Sequence, residues 1–267
     1  MGKVISFANN KGGVGKTTSA TAVGLAWAKM DKKVLFIDLD SQANLTSIIS
    51  GKDAMEQKWD RTLEDAFIEG PEGPGLPIEH TDNPNVDYVP TDLDLSNFER
   101  DTARAAFQKL LLVDLINPVK DKYDYIILDC PPSLSNITYN ALIASDYLCL
   151  VSNPEGSSYR GLEMMVNFYN EIVSNSRYNP DLALIGVIVT RNEKDKIAKM
   201  HAEMFAKDFG QYMIEPYIPK STKVNQASSF SRSIYDIEPN GKVAQSYLKV
   251  SQEILVRIND DIISRSK

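Results

Sequence analysis

The sequence offers little from which to build a covalent or metal-held framework. Its two cysteines, Cys130 and Cys149, have neither disulfide nor metal-ligand spacing, which predicts a reduced, intracellular chain. No apolar run approaches the roughly 20 residues that span a bilayer. No signal segment precedes the first motif, so a cytoplasmic location without a membrane partner is expected. Positive charge is not in excess: 29 Lys and Arg against 36 Asp and Glu leave a formal net charge of −7, which argues against a generic nucleic-acid binder. Internal repeats are absent, and low complexity is confined to a Gly/Pro patch at 71–75. What is there is a globular composition. Hydrophobic residues make up 43% of the 267, enough for a substantial core, and the length suits one α/β domain over 1–267.

One stretch organises the rest: NNKGGVGKTT, residues 9–18. It follows an apolar run, Val4 to Ala8, that reads as a buried strand, and it precedes an alanine-rich run, Ser19 to Met30, that reads as a helix. Strand, glycine turn and helix form the context of a phosphate-binding loop. Gly12, Gly13 and Gly15 let backbone N–H groups, including that of Val14, close around an anion, and the helix N-terminus adds unpaired donors. Lys16 is then placed to reach β- and γ-phosphates, and the Thr17 hydroxyl to hold Mg²⁺. The usual pattern asks for Gly where this chain has Asn10, and the loop gains a second lysine, Lys11, before the glycine pair.

Further strands are predicted at Val34–Ile37, Val86–Val89, Tyr125–Leu128, Tyr147–Val151 and Leu184–Thr190, with a weaker last one at Ile214–Ile218. Helices are predicted at Thr62–Ile68, over Leu95–Val113, and at Val243–Ile258, with an irregular excursion across 51–82. This alternation predicts a mostly parallel twisted sheet covered by helices on both faces. Ligands in such sheets bind beyond the carboxyl ends of the strands, which puts Asp38 and Asp40 near the phosphate loop. Asp129 closes an apolar strand in the Walker-B manner, where a carboxylate supports Mg²⁺.

With KGGVGKTT, DLDSQANLT (38–46), VDYVPTDLDLSNFE (86–99), YDYIILDCPPSLSNITYNAL (123–142) and IPKSTKVNQASSFSRSI (218–234) in hand, the chain resembles the ParA family of DNA-partition ATPases. These belong to the deviant Walker-A group of P-loop NTPases, with MinD and the nitrogenase iron protein, and this chain resembles the small type without an N-terminal winged-helix region. The resemblance implies ATP and Mg²⁺ as ligands and a homodimer that sandwiches two nucleotides. It implies that Lys11 reaches the partner's phosphates, that Lys16 grips its own, that Thr18 contacts the α-phosphate and that Asp40 orients the attacking water. Thr17, Asp38 and Asp129 would serve Mg²⁺. The adenine pocket would be built from Arg191–Asn192 and Tyr217–Ile218–Pro219. Glu155 reads as a surface residue, with contact to the partner's nucleotide as the alternative.

The acidic total hides an asymmetry. Between Arg191 and Arg232 eight Lys and Arg face five Asp and Glu, a local +3 that leaves −10 elsewhere. The family implies non-specific binding of double-stranded DNA by basic residues in this part, for which Lys199, Lys223 and Arg232 are the candidates. It also implies stimulation by a ParB-like centromere-binding protein. A membrane-cycling ATPase of the MinD kind is the first alternative. The end of the chain, EILVRINDDIISRSK, lacks the Lys-rich polar face such proteins use. An electron-transfer ATPase would need cluster-holding cysteines, and a small-molecule kinase or ligase could use the generic loop.

Overall fold

The computed structural model describes residues 2–102, 109–192 and 196–265; within helices, the side chains of 99–102, 196–199 and 202 lie outside that description. In chain order the elements are β1 (Lys3–Ala8), α1 (Lys16–Ala28), β2 (Val34–Asp38), α2 (Asn44–Ser50), α3 (Leu63–Glu69), β3 (Glu79–His80), β4 (Val86–Val89), α4 (Leu95–Thr102), α5 (Leu111–Ile116), β5 (Tyr125–Asp129), α6 (Asn136–Ala144), β6 (Tyr147–Ser152), α7 (Gly156–Ser174), β7 (Ala183–Val189), α8 (Lys196–Phe209), β8 (Met213–Ile214), α9 (Thr222–Ser229), α10 (Ile234–Ile237) and α11 (Lys242–Arg265). The sheet has eight strands in the order β3-β4-β2-β5-β1-β6-β7-β8. Every pairing is parallel except that of β3 with β4.

The strands are apolar throughout because both faces are covered. Val4 and Ala8 of β1, Leu35 and Ile37 of β2, and Ile126 and Leu128 of β5 enter one core layer. Ile5 and Phe7, Val34 and Phe36, and Ile127 enter the other. Alternation along each strand therefore feeds two cores, and no polar face remains. On the second face α1 and α11 pack as neighbours, with Trp27 of α1 donating its indole N–H to the Ser251 carbonyl at 3.0 Å.

Several expected boundaries shift. Helix α1 begins at Lys16, since the end of the glycine loop is already its first turn. The helical pattern over Leu95–Val113 divides into α4 and α5, with Lys109 and Leu110 outside both and 103–108 outside the described residues. The weak last strand is shorter than Ile214–Ile218: β8 ends at Ile214. Pro216 and Pro219 have no N–H to give a ladder, so pairing resumes only as a single bridge between Asn192 and Pro219. Thr62 is the N-cap of α3, closing a capping box with Asp65. Within the expected 51–82 excursion the two-residue edge strand β3 also forms.

Candidate active site

Strands β1 and β5 are neighbours, and the chain leaves β1 for β2 on one side of the pair and leaves β5 for β6 on the other. That is the switch point of an open α/β sheet, where a crevice opens beyond the carboxyl ends of the strands. Residues 9–15 span it. Gly15, the N-cap of α1, has φ 92°, a left-handed conformation that a side chain would strain. Its neighbour Val14 is fully buried, and Thr190, just past β7, donates its hydroxyl to the Val14 carbonyl at 2.6 Å. The loop is thus clamped from β7 as well as anchored by β1. Gly12 and Gly13 lie open on its outer side, and neither has a neighbour where a Cβ would stand.

Lys16 folds across this loop and donates to the Lys11 carbonyl at 3.1 Å. Only 6% of it is exposed. Burial lowers its pKa, and the nearby carboxylates of Asp129 and Asp40 oppose that shift. The C-terminal residues of β2 and β5, Asp38 and Asp129, are direct register partners, so two buried carboxylates stand side by side below the loop. Their surroundings differ. Asp38 Oδ2 accepts the Thr46 amide at 2.8 Å and the Thr46 hydroxyl at 3.0 Å, while Oδ1 accepts the Asp40 amide at 3.2 Å. Burial still pushes its carboxyl up to about 7, with Asp40 adding to the rise. Asp129 has no donor in hydrogen-bonding geometry on either oxygen. Burial, then Asp38, raise its pKa well above the usual carboxylate range, and the nearby Thr17 hydroxyl draws it part of the way back.

A hydroxyl, a carboxylate with unspent lone pairs and a second carboxylate next to it form an all-oxygen donor set of the kind Mg²⁺ takes. The orphaned oxygens of Asp129 are the observation that this fit rests on. Asp40 lies further out, accepting the Gln42 amide on Oδ1 at 3.0 Å. It leads into Ala43, which caps α2 at φ 51°.

Beside the loop a cavity of about 140 Å³ is lined by Thr18, Thr190, Pro219, Thr222, Asn225 and Tyr247, among others. Arg191, Ile218 and Pro219, of the five residues expected around an adenine, line this cavity. Asn192 is not among the lining residues: its backbone holds the segment, with its amide on the Ile218 carbonyl at 2.9 Å. Tyr217 packs with the opposite core layer and leaves the cavity to Asn225 and Thr222 of α9. These residues come from 18 to 247 and converge only in the fold, although IPKSTKVNQ already contains Asn225.

Lys11 is directed toward its own α7, with Glu155 at 2.6 Å. Of the DNA candidates, Lys223 lies on α9 and donates to Gln226 at 3.0 Å. Arg232 lines a separate cavity of about 540 Å³ with Lys29 and Trp59. The side chain of Lys199 lies outside the described residues. Cys130 and Cys149 are both buried, so neither presents a thiolate at the surface as a shared cluster requires. No described helix is long and apolar enough to cross a membrane.

A family model described as an AAA domain matches residues 2–184. The chain is 31% identical to the sporulation initiation inhibitor protein Soj of Bacillus subtilis, over 95% of this chain and 98% of Soj. It is equally 31% identical to the chromosome partitioning protein ParA of Caulobacter vibrioides, over 97% of this chain and 96% of that one. Among solved structures, a putative plasmid partition protein from Borrelia burgdorferi bound to AMPPNP superposes with a TM-score of 0.77 at 26% identity, covering 98% of this chain and all of the other.

Proposed function

The chain belongs to the ParA family of ATPases, and from that premise we propose that it is a DNA-partition ATPase whose nucleotide state sets its assembly. ATP occupies the loop at 9–18, with its base in the cavity beside Pro219 and Asn225. Lys16 binds the β- and γ-phosphates of the same subunit. Thr17, Asp129 and Asp38 would hold Mg²⁺, which when bound neutralises charge on the phosphate oxygens. Asp40 orients the attacking water. Two copies close face to face, and Lys11 of each supplies a cation to the other's phosphates, in the manner of an arginine finger given in trans. The closed pair binds duplex DNA without sequence preference, and hydrolysis, stimulated by a ParB-like centromere-binding protein, releases it.

The observation that carries this reading is a buried carboxyl with no hydrogen-bond donor, Asp129, beside Lys16 beneath a glycine loop. A MinD-like membrane cycle fits less well. The apolar face of α11 is spent on the core through Val243, Tyr247, Val250, Ile254 and Ile258. Its last turns are tied down where Asp261 accepts the Tyr147 hydroxyl at 3.0 Å and pairs with Arg265. The test is the size of the Asp40→Ala protein with ADP, with ATP, and with ATP plus random duplex. A dimer with ATP that shifts further with DNA is expected. A monomer under all three conditions overturns the reading.

A further inference from the structure

The ammonium of Lys11 has three protons to give, and three acceptors take them. Nζ donates to Glu155 Oε2 at 2.6 Å, to Ser157 Oγ at 2.8 Å and to Ser158 Oγ at 2.9 Å. All three acceptors belong to the same subunit, at the N-cap and first turn of α7. The acceptors are themselves supported, for Ser158 is hydrogen-bonded to Asn153 Oδ1, and Ser158 and Asn153 are buried. The close approach of α7 to the loop depends on Gly161. A Cβ there would stand 2.6 Å from Asn9 Oδ1 and 3.5 Å from Lys11 Cβ. Asn9 is fixed in turn by its amide on the Val151 carbonyl at 2.7 Å. The lysine side chain is 27% exposed, against 56% for Glu155. A lysine on a loop that served only as a free surface charge would have no reason to be saturated in this way.

We propose that Glu155, Ser157 and Ser158 form a cradle in cis that holds Lys11 away from a second copy of the chain, so that sandwich assembly begins by emptying it. This rests on the reading of Lys11 as the residue given in trans. The same three protons cannot serve the cradle and a partner's phosphates together, so the two contacts compete. Glu155, Ser157 and Ser158 are positioning residues for Lys11 in the free subunit, and their hold sets how much nucleotide is needed before two copies close. An exposed carboxylate and two hydroxyls make a grip that a triphosphate carrying several negative charges can outbid.

The test uses the full chain and two measurements. The first is the rate at which Lys11 of the nucleotide-free protein reacts with the N-hydroxysuccinimide ester of acetate, read on its peptide by mass spectrometry. In Glu155→Gln and in Ser157→Ala this rate rises by up to about fivefold, the range expected when one contact of an exposed ion pair is lost. The second is the concentration of AMPPNP that gives half dimer by sedimentation, which falls by a similar factor in both variants. Ser157 is exposed, so its alanine variant keeps the test valid if the Glu155 variant does not fold. Unchanged labelling in both variants overturns the cradle. Faster labelling with an unchanged or greater requirement for nucleotide overturns the competition and leaves Glu155 a contact made in trans. A parent protein that labels slowly yet never dimerises overturns the dimer reading, and the competition with it, while the labelling rates still judge the cradle by themselves.

Discussion

Burial makes protonated Lys16 costly, and the carboxylates of Asp129 and Asp40 offset part of that cost. A ligand with several negative charges would offset more, as the proposed grip of Lys16 on a triphosphate requires. Lys16→Ala is therefore expected to lose at least about 2 kcal/mol of Mg²⁺–ATP affinity, roughly thirtyfold, measured by titration calorimetry; unaltered affinity would contradict the site. Asp129 presents the opposite balance. Its carboxyl is buried beside Asp38 with no donor in geometry, an arrangement that costs the empty protein stability and suits a bound cation. Asp129→Asn keeps the shape and removes the ionisable group. The nucleotide-free protein is expected to gain on the order of 1 kcal/mol in urea unfolding, while the extra stability conferred by Mg²⁺–ADP over ADP alone disappears. A variant that loses stability without ligand and keeps the Mg²⁺ increment would show that Asp129 is a packing residue.

At the scale of the element, helix α1 carries the loop and must lie close to the sheet. Gly24 sits where a Cβ would run into the Phe36 ring and the Ile127 side chain. Gly24→Ala gains about 1 kcal/mol of helix propensity but meets overpacking worth roughly 1–3 kcal/mol, so net destabilisation is expected, seen as a lower urea midpoint. The sheet edge gives a second expectation. His80 Nδ1 lies 2.7 Å from Asp87 Oδ1, and Asp87 also accepts the Tyr123 hydroxyl at 2.8 Å. The hydrogen bond and charge of Asp87 raise the His80 pKa. Its small contribution to stability is therefore present below the ordinary imidazole pKa and lost as pH rises through the folded one. NMR titration of Asp87→Asn is expected to return His80 toward its ordinary value. The elements differ in how much the sequence discloses. Strands β1, β2, β5 and β6 are legible because both faces are buried and their apolar runs are continuous. Helices α2, α9 and α10 are too short, at seven, eight and four residues, to show a helical period, and α2 starts at a left-handed Ala43 that no residue type announces. Edge strand β3 is two residues long and exposed, below any periodic signal. The candidate site divides in the same way. Lys16 and Thr17 open α1 inside a local motif and Asp129 closes β5, whereas Asn225, Thr190 and the α7 acceptors of Lys11 are brought together by crossovers.

At the scale of the molecule the difficulty is charge. One chain carries −7, so a pair carries −14, and a duplex repels it at long range. Binding is possible only where the positive surface is local and doubled, since charges farther away than about 8 Å are screened at physiological salt. The stretch from Arg191 to Arg232 carries the local excess of three, and closing two copies would add one such stretch to another. If each copy contributes about two phosphate contacts, such as Lys223 and Arg232, the logarithm of affinity falls with that of salt at a slope near −3.6, and a fourfold rise in salt costs roughly a hundredfold. The slope is thus a count of contacts, and it is expected only when the pair is closed. Lys223→Glu and Arg232→Glu would each shorten it by about two units per dimer, one contact from each copy, with nucleotide affinity unchanged because neither residue touches the loop or the cavity beside it. Retention on random duplex in AMPPNP, titrated with potassium chloride, measures this directly. A slope that these variants leave intact would move the DNA-binding face to another part of the surface, and equal retention with and without nucleotide would separate DNA binding from assembly altogether.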